Sequence, residues 1–423
     1  ELVFEMSRLA PSLPGAAGFF NPYGRVYLDG AHLELAAAEC ASPFALVNVI
    51  AAQQDLAAQA VRRLRKRGRE VLLANCNHSG LLTDSAPTWG SHGNYLVSEH
   101  PMQLAERLLP FLVTRVYAGA GGLAWPSGEY VAGVRLRFLK AETGGDTMQQ
   151  RAIHSTARDE PLTTQPQRYG WRYHTVLGDG LRSHFSQLLR FGVTALVLQA
   201  ITQFPQALKS LPVPRGAEWQ PGFWLHTLAY FNRLAITSEG LKAEPLAVEV
   251  QRVYLELVDR FLNADSNPPL WTRQVVTVWE STLDALERQD HAWLAARLDP
   301  WIKFDLFSEY LMTHGSDWEC VRSNHDLAYG LALLNQDYHD FTSPSSPFSE
   351  REQAGRLCHE VMTVTPPGSE PEPYVPDCGT RANARARFLS QHPHERHLTA
   401  DWTQVTGIGG QVLLNLDDPF ADG

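Results

Sequence analysis

Residues 24–34, Gly24-Arg25-Val26-Tyr27-Leu28-Asp29-Gly30-Ala31-His32-Leu33-Glu34, constrain the fold more than any other stretch of the chain. Arg25, Tyr27 and Asp29 alternate with Val26 and Leu28, and this period of two predicts a strand with one wet face. The three polar side chains then share a face, because successive strand residues point to opposite sides. After a turn at Gly30-Ala31, Glu34 can return a second carboxylate to the same neighbourhood. Such a set offers the hard oxygen donors that magnesium prefers; solvated edge strands carry the same residue types.

Helical spacing follows. Residues 43–67 repeat apolar side chains with a helical period and close on Arg62, Arg63, Arg65, Lys66 and Arg67, favourable charges for a helix C-terminus. That basic end reads as a solvated helix terminus or as a surface that steers an acidic partner. Val71-Leu72-Leu73 predicts a strand, and residues 101–117 an amphipathic helix stopped by Gly119-Ala120-Gly121-Gly122. Residues 173–177 predict a strand ending at Gly178-Asp179-Gly180, with a helix over 183–203 behind it. Residues 246–334 are helical in pattern almost throughout, with Trp279, Leu283, Leu286 and Trp293 on one buried stripe. The mixture is α+β. Residues 343–350 and 366–376 are rich in Pro, Ser and Glu, so 343–376 reads as a linker between a main unit, 1–342, and a small C-terminal unit, 377–423. No repeat of solenoid period is present.

Composition excludes several function classes. A chain of 423 residues with 44% apolar content can bury one large core and a satellite. Its net charge of -10 argues against binding nucleic acid through phosphate neutralisation. The longest apolar run, 191–201, is about half of the roughly 20 residues a membrane helix needs, so no span is expected. Glu1-Leu2-Val3-Phe4-Glu5 has neither the basic nor the apolar part of a signal peptide, and the expected location is the cytoplasm. Five cysteines without a C-x-x-C spacing predict reduced, mostly buried thiols. No G-x-x-x-x-G-K-[ST] occurs, so ATP would need a cradle other than a P-loop. The glycines at 119, 121 and 122 lack the strand and distal acid of a dinucleotide fingerprint and read as a helix stop. H-E-x-x-H is absent, and His392, His394 and His397 sit in a polar stretch that reads as solvated surface.

Two further clusters carry chemistry. Arg158-Asp159-Glu160-Pro161 sets a guanidinium beside two carboxylates, and Arg172-Tyr173-His174 places Arg and His on one strand face. Arginines aimed at phosphate and carboxylates aimed at metal are what phosphoryl transfer requires. An ion-pair network at a strand end is the alternative.

These blocks resemble the Pup ligase and depupylase family, the enzymes that attach or remove the prokaryotic ubiquitin-like protein. Gly24-Arg25-Val26-Tyr27-Leu28-Asp29 and His32-Leu33-Glu34-Leu35 resemble the family's G-A-R-x-Y-x-D and H-P-E-Y, and Glu39-Cys40 its E-C. Trp89-Gly90-Ser91-His92-Gly93-Asn94-Tyr95-Leu96 is similar to Y-G-C-H-E-N-Y-L, and Leu109-Pro110-Phe111-Leu112-Val113-Thr114-Arg115 to L-P-F-L-V-T-R. Arg158 to Pro161 stand where T-R-D-E-P is expected, and His174 to Asp179 resemble H-V-I-V-G-D. Asp337-Tyr338-His339-Asp340, Thr380-Arg381, Asp401-Trp402 and Asp418-Pro419-Phe420 continue the match to the end.

The resemblance implies a glutamine-synthetase-like fold, a curved antiparallel sheet packed with helices and a small C-terminal domain beside it. It implies ATP and Mg2+ as cofactors and an isopeptide-forming carboxylate-amine ligase working through an acyl phosphate. Its partners would be a Pup-like small acidic protein or a glutamate-bearing small molecule, and an amine acceptor. A depupylase or deamidase, and a homologue that binds nucleotide or partner without turnover, are the alternatives. By the same resemblance Asp29 is the catalytic aspartate; Glu1, Tyr27 and Glu34 are metal-site residues; and Arg158, Arg172, His174 and Trp402 border the nucleotide. Three departures stand out: the family's opening G-x-E-x-E is represented only by Glu1, K-N-N-T-D is blurred into Ala74-Asn75-Cys76-Asn77-His78, and Gly93 replaces a glutamate. Residues 5–24 are too few for the long loop that depupylases insert there, which favours ligation.

Overall fold

The wet-faced strand is the third of four in an antiparallel sheet, β1 (Leu13–Gly15), β2 (Gly18–Asn21), β3 (Gly24–Asp29) and β4 (His32–Ala37), hydrogen-bonded in sequence order. The computed structural model describes residues 1–79, 88–145, 150–154, 163–208, 211–214, 222–358 and 377–421. Val26 is fully buried while Leu28, near the tip, is 51% exposed. Gly30 turns the chain with φ 58°, a left-handed conformation that glycine adopts without steric cost. Gly18 is needed for a different reason: a Cβ there would lie 2.0 Å from the Val26 carbonyl oxygen. Helix α1 (Leu2–Ser7) precedes the sheet and packs on α2 (Pro43–Lys66), whose N-terminus is capped by the Ser42 hydroxyl accepting from the Ala45 N–H.

A second four-stranded sheet has the order β5-β10-β9-β8, from β5 (Ser91–Val97), β8 (Ala141–Gly144), β9 (Arg151–His154) and β10 (Trp171–Gly178), with the hairpin β6 (Gly122–Ala124) and β7 (Glu129–Val131) separate from it. β10 runs antiparallel to both β5 and β9, while β8 and β9 are parallel, one departure from the antiparallel pattern expected. Helix α3 (Pro101–Thr114) follows β5, the single turn α4 (Pro166–Tyr169) precedes β10, and α5 (His184–Gln203) follows β10. α5 is the one described helix long and apolar enough to cross a membrane by composition, and 78% of that window is buried inside the protein. Its Gly192 lets it approach Val275 and Pro43 closely.

The helical block predicted for 246–334 is present. After α6 (Phe223–Asn232) and the hairpin β11 (Ala235–Thr237) and β12 (Gly240–Lys242), it consists of α7 (Pro245–Ala264), α8 (Leu270–Arg288), α9 (His291–Ala295), α10 (Asp299–Thr313) and α11 (His325–His339), and α12 (Pro347–Gln353) follows. Trp279, Leu283 and Leu286 form the buried stripe of α8, each contributing roughly 1.5–3 kcal/mol of apolar burial, whereas Trp293 belongs to α9 and meets Phe185 edge-on. Val71-Leu72-Leu73 is not a strand: Leu72 is 87% exposed, and only Ala74 forms a bridge, to Asp340. Three apolar residues without a sheet edge to pair with have no ladder to join.

The chain closes with α13 (Arg381–Gln391) and a sheet of β13 (Thr399–Ala400), β14 (Gln404–Thr406) and β15 (Val412–Asn415). Leu13 and Phe20 of the first sheet share a core with Leu389, Leu398, Trp402 and Val405. A buried ion triad stitches the same junction, where Glu39 accepts from Arg381 Nε at 2.7 Å and from Arg385.

Candidate active site

Tyr27 and Glu34 sit directly opposite each other in the β3–β4 register. The phenol donates to the Glu34 carboxylate, and burial first, then that bond and charge, push the Tyr27 pKa well above its ordinary value. Tyr27 is therefore a neutral donor. Burial likewise raises the Glu34 carboxyl, Asp29 adds to the rise, and Tyr27, Arg172 and Arg25 oppose it. Asp29 stands at the exposed hairpin tip across from His32, while the Arg25 guanidinium lies 4.2 Å over the Tyr27 ring. The predicted common face of Arg25, Tyr27 and Asp29 is thus the face on which Glu34 returns.

β10 brings the second set of groups. Arg172 donates from Nε to Asn94 Oδ1 at 2.8 Å, and its positive charge lowers the Glu34 pKa, while the His32–Trp89 ring contact joins the hairpin tip to the residues leading into β5. Two residues on, His174 Nε2 lies 3.2 Å from His92 Nδ1, and its ring stacks on His154 at 5.4 Å. Burial, then Arg172, His92 and His154, hold His174 well below the ordinary imidazole range; burial and the charges of Arg135 and Arg172 push His92 down to about 3. These rings are neutral at pH 7, and His174 Nδ1 is buried without a partner. At the tip, Trp89 stacks on His32 with centroids 4.6 Å apart and donates from Nε1 to the Cys76 carbonyl at 2.7 Å. Gly93 leaves no room for the glutamate that the resemblance expects, since a Cβ there would be 2.7 Å from Thr175 Oγ1.

Tyr27, Asp29 and Glu34 therefore share the hairpin, while Arg172 and His174 stand together on β10, with the charge of Arg172 felt at Glu34. Glu1 does not join them: its carboxylate faces Arg69 Nε at 3.5 Å beside α1, and Glu5, the other acid of that helix, is buried against Arg67. Among the described residues no group of three or more His, Cys, Asp or Glu side chains is placed to hold a metal ion. Arg158 lies outside the described residues. Trp402 stands behind the group, 8% exposed, its ring edge-on to Phe20 at 5.1 Å and covered by Arg385. Sequence reasoning did not single out His92, His154 or Asn94. The alternation His92, Asn94 and Leu96 along β5 was visible, but its pairing with β10 across about eighty residues was not.

Comparison with known proteins bears on this arrangement. A family model described as Pup-ligase protein matches residues 7–406. A Pup--protein ligase of Micrococcus luteus is 31% identical over 406 residues, 90% of this chain and 81% of that protein. One from Actinosynnema mirum is 32% identical over 419 residues, 95% and 87% of the two chains. Among solved structures, the Pup ligase PafA in complex with ADP aligns with a TM-score of 0.73 at 24% identity, over 97% of this chain and 88% of that one. The complex between Pup and its ligase PafA aligns equally well over 100% and 85%. At that identity the structures establish the likeness of fold.

Proposed function

The chain belongs to the Pup-ligase family, and on that premise we propose that it is an ATP- and magnesium-dependent ligase that joins the side-chain carboxylate of a Pup-like acidic protein to an amine on an acceptor protein. The observation that carries the reading is the Tyr27–Glu34 pair beside Asp29 on one hairpin face, with the charge of Arg172 on β10 reaching Glu34. Residues 5–24 run as α1 and the tight β1–β2 hairpin, leaving no span for an inserted loop, which favours ligation over hydrolysis.

In this reading the donor carboxylate attacks the γ-phosphorus of ATP, ADP leaves, and an acyl phosphate forms. The acceptor amine then attacks the acyl carbon, gives up its proton and expels phosphate to leave the isopeptide bond. Asp29, exposed at the tip, takes the amine proton. Arg172, fixed by Asn94, faces the phosphates with a held guanidinium. The neutral His92 and His174 rings beneath it add no competing charge.

Magnesium fits this donor set. A desolvated Glu34 with Asp29 nearby is a carboxylate whose charge lacks sufficient compensation, and Mg2+ is commonly held by one or two carboxylates together with substrate phosphates. Glu34 would hold the ion, Tyr27 would orient Glu34, and the ion would neutralise charge on the phosphoryl group in flight. Trp402 acts from behind, through Phe20, on which the Arg25 guanidinium also rests. Residues 1–342, with α12 packed on them through Phe348, form the catalytic unit, 377–423 the small C-terminal domain, and the location this reading implies is the cytoplasm.

The test is ADP release from ATP and magnesium with Pup and with other glutamate-bearing donors, plus amine acceptors, in wild type and Asp29→Asn. ADP formation requiring donor and acceptor together, and lost in the variant, supports the ligase. Cleavage of isopeptide-linked Pup without net ADP formation would overturn it.

A further inference from the structure

The residues after β15 form a strap that links the segment leaving β4 to the segment leading into β10. The Leu416 N–H donates to the Thr403 carbonyl at 2.7 Å, fixing the strap to the C-terminal sheet. Arg381 donates from Nη1 to the Leu416 carbonyl and from Nε to Glu39 Oε1, both at 2.7 Å, and so ties the strap to the end of β4. The next residue, Asp417, accepts four hydrogen bonds from residues 163–165: from Thr163 Oγ1 at 3.1 Å, the Thr164 N–H at 2.7 Å, Thr164 Oγ1 at 2.9 Å and Gln165 Nε2 at 2.6 Å. Four donors fill the accepting capacity of a carboxylate. Burial alone would raise the Asp417 pKa, yet these bonds hold it below the usual carboxylate range.

Residues 163–165 need such a hold. They lead into α4, a four-residue turn whose N-cap makes no side-chain hydrogen bond, and one turn of helix is unstable alone. Only Gly170 then separates α4 from β10, the strand of Arg172 and His174. We propose that Asp417 is a positioning residue: by gripping residues 163–165 from a strap that Arg381 anchors to Glu39, it sets where Arg172 stands relative to Glu34, and thereby the geometry in which nucleotide phosphates are received. The catalytic part of this inference rests on the function proposed above. The C-terminal unit thus works as a clamp across the two sheets.

The full chain is compared with Asp417→Ala, Asp417→Asn, Thr164→Val and the double variant Asp417→Ala/Thr164→Val, with Ile408→Ala as a control at a site 81% exposed on the same unit. Hydrogen exchange reads the grip directly: Asp417→Ala is expected to speed exchange of the Thr164 amide at least tenfold, on the order expected for losing a hydrogen bond to a charged acceptor. ADP affinity by calorimetry and kcat for ATP-dependent ligation are each expected to fall roughly tenfold while KM for the acceptor stays within about twofold. Asp417→Asn, which keeps one acceptor oxygen, is expected to recover part of the loss. The double variant should cost no more than Asp417→Ala alone, because both remove one interaction. Unchanged exchange at Thr164 would overturn the grip. Faster exchange with ADP affinity unchanged would overturn the positioning role. Should wild type ligate no donor, the proposed function fails, and exchange with ADP affinity still decides the strap.

Discussion

Replacing Glu39 by Gln tests the junction between the first sheet and the C-terminal unit. Burial alone would raise the Glu39 carboxyl, but Arg385 and Arg381 overcome it and hold the pKa at about 2 against an ordinary 4.5. That difference corresponds to roughly 3 kcal/mol of stability at neutral pH. The folded-state pKa is depressed, so this contribution is complete above pH 4.5, falls to about 2 kcal/mol near pH 3.5, and vanishes below about pH 2. Glu39→Gln also removes the carboxylate that the buried guanidiniums of Arg381 and Arg385 share, for which roughly 3–5 kcal/mol is expected at pH 7. Urea unfolding of wild type and variant at pH 7 and pH 3.5 measures the gap and its change, and the difference between the two proteins cancels the titration of other carboxylates. A gap under about 1 kcal/mol at pH 7, or one that does not narrow at pH 3.5, would refute the reasoning.

Asp29→Asn should lower kcat for ligation at least a hundredfold with ADP affinity nearly unchanged, measured by turnover and calorimetry. Tyr27→Phe removes a hydrogen bond that lowers the already raised Glu34 pKa. Glu34 then protonates at higher pH, and the acid limb of the pH–rate profile should move to higher pH. Gly18→Ala forces a Cβ to within 2.0 Å of the Val26 carbonyl oxygen and should destabilise the hairpin sheet by about 2–4 kcal/mol in chemical denaturation. Lys303 is buried, donating to the Gly121 carbonyl, Asn335 Oδ1 and His339 Nε2, with a pKa pushed down to about 8 chiefly by burial. The unfolded state holds that proton more tightly, so wild type should gain stability over Lys303→Met as pH rises from about 8 to 10.5.

Periodicity along the chain was enough to place β3, α2, α5 and the helices between 246 and 334, because each of these patterns repeats within a few residues of itself. It was also enough to put Arg25, Tyr27 and Asp29 on one face, since strand alternation is a local property. It failed at Val71-Leu72-Leu73, where three apolar residues carry no period and the outcome depended on whether a sheet edge lay within reach. The order of the motifs along the chain signalled the family and, through it, the fold.

What tertiary structure alone decided were pairings between residues far apart in sequence. Glu39 reads as an ordinary acid until Arg381 and Arg385 arrive from the C-terminal helix and turn it into a buried counter-ion. Glu1 reads as a metal ligand until α1 packs on α2 and presents it to Arg69. His174 reads as a residue bordering the nucleotide, and only the packing of His92 and His154 and the burial that comes with it fix it as neutral. In each case the side chain's charge state and partner follow from desolvation and from neighbours that only folding supplies, while its place on a strand or helix was already written in the local order of residues.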